Sequence, residues 1–486
     1  MSVLPPSRPP VAPDPEPETL AGLADRVRSA VARRADCFEV RAEASESIEY
    51  TWSRGGLQGA GTSRLSGVAV RLWVKGRSGF ASCHTTDAAA IERMIDQALS
   101  IAGASASSEA SSFPHAPLPA RKIRYRPSIH GNPFEASPEE VGSLLGRAEG
   151  AALAVNPTLQ VRALLAASRR HVVYADSGGR ETDSETLLAT LLTHAIHRNA
   201  SRPGDGQDWI AGERGLRDFG ADGPERIGKH AAVTAIESST AIAAPAGRHR
   251  VLCDNALSGV LAHESFGHLT EYDLIAMRWS RLHGCLGQRF ASEAVSVVDA
   301  PIVEASPRDG IRVPVDEEGV EGRPIRVLDK GVLRHWMHAR GSAQLEGHEP
   351  TGNGRAMNAR WSPIVRMRNT YFEPGDLTVE EALETMRDGV YLIGGRGGAP
   401  SAGGEFMFTS VRGYLVKGGR IDAPLRATAI SGNIFDFLKG VRGVTRDFQV
   451  SATNFGGCGK WGQSYLAVGM GGPHVLVEDA QLGGVA

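Results

Sequence analysis

The sequence predicts an α+β chain: N-terminal α/β units on mixed or antiparallel sheets, then a mostly antiparallel β C-terminal domain. Three observations carry this reading. Helix-like and strand-like segments alternate up to about residue 243. Beyond residue 290 the chain becomes short strand-like runs split by glycine, such as "GIRVPVDEEGVEG", "GVYLIGG" and "HVLVEDAQLGG". The composition, 486 residues with 41% apolar and 22% charged, suits a globular chain of two or three domains.

In order along the chain, residues 1–19 form a Pro-rich leader expected to be disordered. Residues 20–120 form an N-terminal α+β domain, 121–243 a central α+β domain, and 244–486 a C-terminal β-rich domain. "ETLAGLADRVRSAVARRA" (18–35) has helical spacing of Leu, Ala and Val, and "CFEVRAEASESIEYTWS" alternates as a strand does. "SGVAVRLWVKGRSGFASC" (66–83) reads as two strands about a Lys-Gly turn, and "DAAAIERMIDQALSIAG" (87–103) as an amphipathic helix. A Ser/Ala/Pro-rich loop is expected over 104–119. "SPEEVGSLLGRAEGAALAV" (137–155) opens with a Ser–Glu capping pattern and runs helical. Alternating strands follow, with Gly178-Gly179 as a hairpin turn, then a helix over 223–241. No internal repeat of fixed period is present.

A net charge of −2 gives no global field for nucleic acid or anionic lipid, and "RVRSAVARR" (26–34) reads as the wet face of a helix. Cys37, Cys83, Cys253, Cys285 and Cys458 are few and scattered, which suits a reducing compartment rather than a disulfide framework. The N-terminus lacks a secretory pattern, and no apolar run approaches the roughly 20 residues a membrane helix requires. A cytoplasmic chain with no membrane and no nucleic-acid partner is the expectation.

The chemistry-bearing string is "LSGVLAHESFGHLTEYD" (257–273), in which His263, Glu264 and His268 spell H-E-x-x-x-H. This is one residue longer than the H-E-x-x-H of ordinary zinc peptidases. On a straight α-helix, residues i and i+5 sit about 140° apart. Two histidines at that spacing converge on one ion only if the helix widens locally into an i→i+5 turn, which Gly267 would ease. Glu264 is placed to act as general base on a metal-bound water. The third ligand stays open among Glu271, Asp273, His283, Cys285 and Cys458, with proximity favouring Glu271. No G-x-S-x-G elbow, Walker A loop or C-x-x-C pair competes.

An ordered series of motifs follows: "HESFGHLTEYD", "VPVDEEG" (313–319), "GVLRHWMHAR" (331–340), "TGNGRA" (351–356), "RMRNTYFEPG" (366–375), "DGVYLIGG" (388–395), "GEFMFTSVRGYLVKGG" (404–419), "CGKWGQ" (458–463) and "LGG" (482–484). Together they resemble the TldD/PmbA family of cytoplasmic metallopeptidases, over nearly everything after residue 20. The intact metal motif resembles the TldD-type subunit. The resemblance implies one Zn2+ per chain on His263, His268 and Cys458, with Glu264 as the catalytic carboxylate. It also implies hydrolysis of small or unfolded peptides, including processing of ribosomally made ones, with the substrate held as an extended strand. "TGNGRA" and "GEFMFTS" are candidates to line its groove. It further implies a dimer, either with a metal-free PmbA/TldE-type subunit or with a second copy. The alternative is a non-catalytic, peptide-binding scaffold subunit. "HLTEYD" and "MRWSRLHG" depart from the pattern and bear on the rim of the site.

Overall fold

A computed structural model of the chain describes residues 19–104, 118–199, 202–396 and 401–484. Apart from Thr19, the expected leader lies outside the described residues, as do residues 105–117 of the expected loop.

Thr19 caps the first helix, Leu20–Val31, its hydroxyl accepting from the backbone of Gly22 at 3.1 Å. The helix buries Leu23, Ala24, Val27 and Val31, and helix Ala88–Ala104 buries Ile91, Met94, Ile95, Ala98 and Ala102 beside it. Each Val or Ile fully buried in this way contributes roughly 1.5–3 kcal/mol. Both helices cover strands Cys37–Ser53, Gly56–Val74 and Arg77–Cys83. The Lys-Gly turn is present, with φ of 50° at Lys75 and 76° at Gly76, the left-handed pair that a two-residue hairpin demands.

A single sheet runs across residue 120. Strand Gln160–Asp176 pairs antiparallel with Cys37–Ser53, from Glu39 opposite Asp176 to Trp52 opposite Ala163. Strands Glu181–Arg198, Lys122–Tyr125 and Pro203–Gly212 complete seven strands. Helix Pro138–Val155 begins with the expected capping box between Ser137 and Glu140, and helix Gly223–Thr240 packs beside it.

The C-terminal part holds a six-stranded mixed sheet and a barrel. The barrel ring runs through Gly389–Arg396, Gly247–Cys253, Val475–Gly484, Thr428–Asn433 and Glu405–Lys417, which pairs back with Gly389–Arg396. Two pairings are parallel, 390–392 with 251–253 and 369–371 with 469–471; the other ladders in these two sheets are antiparallel. The α+β class and the mostly antiparallel C-terminal half both hold.

Buried charge joins the two halves. Within "VPVDEEG", Glu318 receives Arg71 at 2.6 Å, and Glu317 pairs with Arg170, which also grips Glu43 at 2.8 Å. Arg340 reaches Glu39 at 2.9 Å and Asp176 at 3.0 Å. A buried charge is tolerated only when paired, so these ion pairs fix where the C-terminal half docks on the sheet.

Candidate metal centre

The metal-motif helix starts at Asn255, capped by Asp254, whose Oδ1 accepts from the backbone of Leu257 at 2.8 Å. Leu257, Leu261, Ala262 and Phe266 anchor it in the C-terminal core. From His263 to Gly267 the helix widens into a π turn, and the N–H of His268 reaches back to the carbonyl of His263, five residues earlier. Gly267 has φ −70° and ψ −83°, off the regular helical value, as expected of a glycine that eases the widened turn. A Cβ there would run into the Met367 sulfur.

That widened turn brings both imidazoles to one point. Cys458 arrives from the hairpin formed by Cys458–Lys460 and Gln463–Leu466, whose turn carries φ of 49° at Trp461 and 82° at Gly462. Its Sγ lies 3.3 Å from Nε2 of His263 and 3.1 Å from Nε2 of His268. Ligand atoms of the three side chains all lie within 4.8 Å of one another. Two nitrogens and a sulfur around one tetrahedral zinc would have N···S separations of about 3.5 Å. Two imidazoles and a soft thiolate are also a zinc-type donor set, so these residues fit the ion.

Electrostatics favours the thiolate. Burial pushes the Cys458 thiol up, but His263 and His268 outweigh it and bring it down to about 4. Burial lowers His268, yet Glu271 and the Cys458 sulfur hold it well above the usual histidine range. A metal cation would compete with protons for these same atoms.

Glu264 projects beside the cluster, its Oε2 4.0 Å from Nε2 of His268 and buried without a hydrogen-bond partner. Burial pushes its carboxyl above the usual range, ahead of the opposing pull of His263 and His268. A carboxylate held in this state can take a proton and return it.

Glu271, the candidate favoured by proximity, is fully buried but turned to the back of His268, with Oε2 2.9 Å from Nδ1. Asp273 sits 2.6 Å from Nζ of Lys460. His283 bonds the carbonyl of Ile275 at 3.1 Å, and Cys285 reaches only carbonyls of its own turn, so neither joins the cluster.

The comparisons with known proteins follow the same outline. Residues 38–102, 131–238 and 246–484 match, in order, the first, central and C-terminal domains described for PmbA/TldA metallopeptidases. The chain belongs to the TldD/PmbA family. A metalloprotease of Methanothermobacter thermautotrophicus is 32% identical over 453 residues, 93% of this chain and 96% of that protein. A zinc metalloprotease TldD homolog of Saccharolobus solfataricus is 36% identical over 239 residues, 49% of this chain and 52% of its own length. Among solved structures, TldE from Thermococcus kodakarensis superposes with a TM-score of 0.79 at 19% identity, covering 95% of this chain and all of that one.

In this TldD/PmbA protein two supporting residues escaped the sequence reading. Lys460 is buried between Glu271 at 3.1 Å, Asp273 at 2.6 Å and the carbonyl of Val365 at 2.8 Å. Fully buried Arg366 donates to the carbonyl of Cys458 at 2.7 Å and so holds the hairpin that delivers the sulfur. Their only signal was position, inside "CGKWGQ" and "RMRNTYFEPG". Of the two groove candidates, 351–356 is buried throughout, with Gly354–Arg355 paired to Ile364–Val365. Residues 405–409 pair with 429–433 along one side.

Proposed function

We propose that the chain is a zinc-dependent peptidase acting on small or unfolded peptides, with one Zn2+ on His263, His268 and Cys458. The observation that carries this reading is the convergence of these three donors beside the unpartnered, buried Oε2 of Glu264. When bound, zinc supplies a Lewis acid that polarises the scissile carbonyl and makes water more acidic. Glu264 takes the proton of the attacking water and then delivers it to the departing amine, and its raised pKa suits both transfers. Glu271 keeps the proton of His268 on Nδ1, which leaves Nε2 free as a donor.

A structural metal site has no use for a buried carboxylate without a partner, which supports catalysis over the scaffold alternative. The fold shared with TldE is consistent with pairing with a TldE-type subunit, and pairing with a second copy gives the other dimer. Among the described residues no helix is long and apolar enough to cross a membrane. The deciding experiment is Glu264→Gln, with zinc content and hydrolysis of unstructured peptides measured together. The expected result is full zinc and hydrolysis reduced by 100-fold or more, about the lower range of general acid–base contributions. Wild-type turnover in that variant would overturn the mechanism.

A further inference from the structure

Near the metal centre lies a concavity of about 380 Å3, a size suited to a large side chain together with its adjoining backbone. Two of the segments that line it also deliver metal ligands. Ala256 and Val260 belong to the metal-motif helix, and Gly456 and Gly457 lead directly into Cys458. Val260 stands one turn before His263, at a spacing that puts Cβ atoms about 5–6 Å apart on a helix. Gly457 is bonded to Cys458, so their Cα atoms are about 3.8 Å apart. The lining therefore comes within one residue of the ligand Cys458 on one wall and within one turn of the ligand His263 on another.

Its lining is mostly apolar, with the buried hydroxyl of Thr234, which has no hydrogen-bond partner, as the polar exception. Val260, Val411, Val468, Met470 and Ala452 supply its hydrocarbon lining. The ionisable groups at its margin are already paired, with one another or with groups beyond it. Asp208 faces His230 at 3.0 Å and Arg226 at 3.5 Å, and Asp205 pairs with His194. Arg412 donates to Tyr414 at 2.7 Å and lies 3.3 Å from Glu237, and Asp254 Oδ1 accepts from Leu257 and Gly394. A charged side chain entering here would give up water for groups that have already found partners, whereas an apolar one would only gain. The concavity also lies between the outer edges of strands Pro203–Gly212 and Gln449–Ser451, each paired on one side only among the described residues.

The geometry points to this concavity as the specificity pocket of the peptidase, taking a large apolar side chain, aliphatic or aromatic, next to the bond that is cut. This inference rests on the zinc-peptidase reading and adds a substrate class to it.

Gly456 offers a direct test. Its φ lies outside the left-handed region, and a Cβ built on it would approach only Thr453 Oγ1, at 3.9 Å, so a substitution there meets no clash at Cβ. Zinc-loaded wild type and Gly456→Trp are assayed on peptide sets in which Leu, Phe, Ala and Lys are exchanged in turn at each position flanking the cleaved bond. At one position the wild type should prefer Leu or Phe over Ala by 10-fold or more in kcat/KM, and over Lys by more. Gly456→Trp should cut that ratio by at least 10-fold while zinc content stays at the wild-type value. Val411→Phe enlarges another lining side chain and should act in the same direction, so misfolding of one variant does not decide the matter. A wild type indifferent to these exchanges, or a preference unchanged in both variants, overturns the pocket while leaving the peptidase reading intact. A zinc-loaded wild type that cuts none of the peptides overturns the peptidase reading, and the pocket with it.

Discussion

The carboxylate of Glu271 lies 2.9 Å from Nδ1 of His268, on the side of the ring away from Cys458. An ionised carboxylate only accepts, so Nδ1 holds its proton against Glu271, and Nε2 is the nitrogen that a metal would take in place of its proton. Burial raises Glu271, but Lys460 at 3.1 Å and His268 outweigh it and hold the carboxyl at about 2. Glu271→Ala removes the orienting acceptor and leaves Lys460 with Asp273 alone among its carboxylate partners. Zinc affinity should fall by about 10–100-fold, the usual effect of losing such a partner. Competition with a chromogenic chelator measures it, and an affinity within two-fold of wild type would deny the orienting role.

Cys458→Ser should lower zinc affinity further, because a hydroxyl stays protonated where a thiolate of pKa about 4 is ready to bind. The expected outcome is less than a tenth of the bound zinc after dialysis against dilute chelator, read by atomic absorption. Full retention would mean that the sulfur is a bystander and would remove Cys458 from the ligand set.

Locally encoded features were the ones the sequence disclosed. The Ser137–Glu140 capping box and the Lys75-Gly76 turn each depend on neighbours a few residues apart, and both stand as expected. The widened turn at His263 followed from the five-residue spacing alone. Cys458 was different: some 190 residues separate it from His268, and only the family resemblance singled it out from the other candidates. The pairing of strand 37–53 with 160–176 was likewise hidden, since alternation shows that a segment is a strand but not which strand it meets. Lys460 and Arg366 went unnoticed because a buried, paired cation has the same letter as a solvated one.

His338 predicts how stability changes with acid. Burial, then His348 with Nδ1 at 3.2 Å, then Arg323, push its pKa from the ordinary value down to about 3. Between about pH 6.5 and pH 3 the unfolded chain therefore binds a proton that the folded chain refuses. Stability from this residue is complete above pH 6.5 and declines as pH falls, by at most about 1.4 kcal/mol per unit. His338→Gln should flatten the curve of unfolding free energy against pH between 6.5 and 4.5 relative to wild type. Parallel curves, measured by urea denaturation, would show that the buried imidazole is not the titrating group.

Arg368 and Asp299 form the most deeply buried ion pair of the C-terminal half, with both side chains 0% exposed and Nε 2.8 Å from Oδ1. Asp299 also accepts from Asn353 at 2.8 Å and Thr370 at 3.1 Å, while Arg368 donates to the carbonyls of Thr351 and Arg323. The pair therefore ties strand Val297–Ala300 to the segment entering Asn369–Phe372, and it holds Asn353 of "TGNGRA" against both. Removing one partner strands the other charge away from water, which for buried pairs costs about 3–5 kcal/mol. Arg368→Met should destabilise the protein by that amount in urea. The double variant Arg368→Met with Asp299→Asn should recover part of the loss, because no uncompensated charge then remains. A double variant no more stable than Arg368→Met alone would place the cost in packing and backbone hydrogen bonds rather than in the orphaned carboxylate.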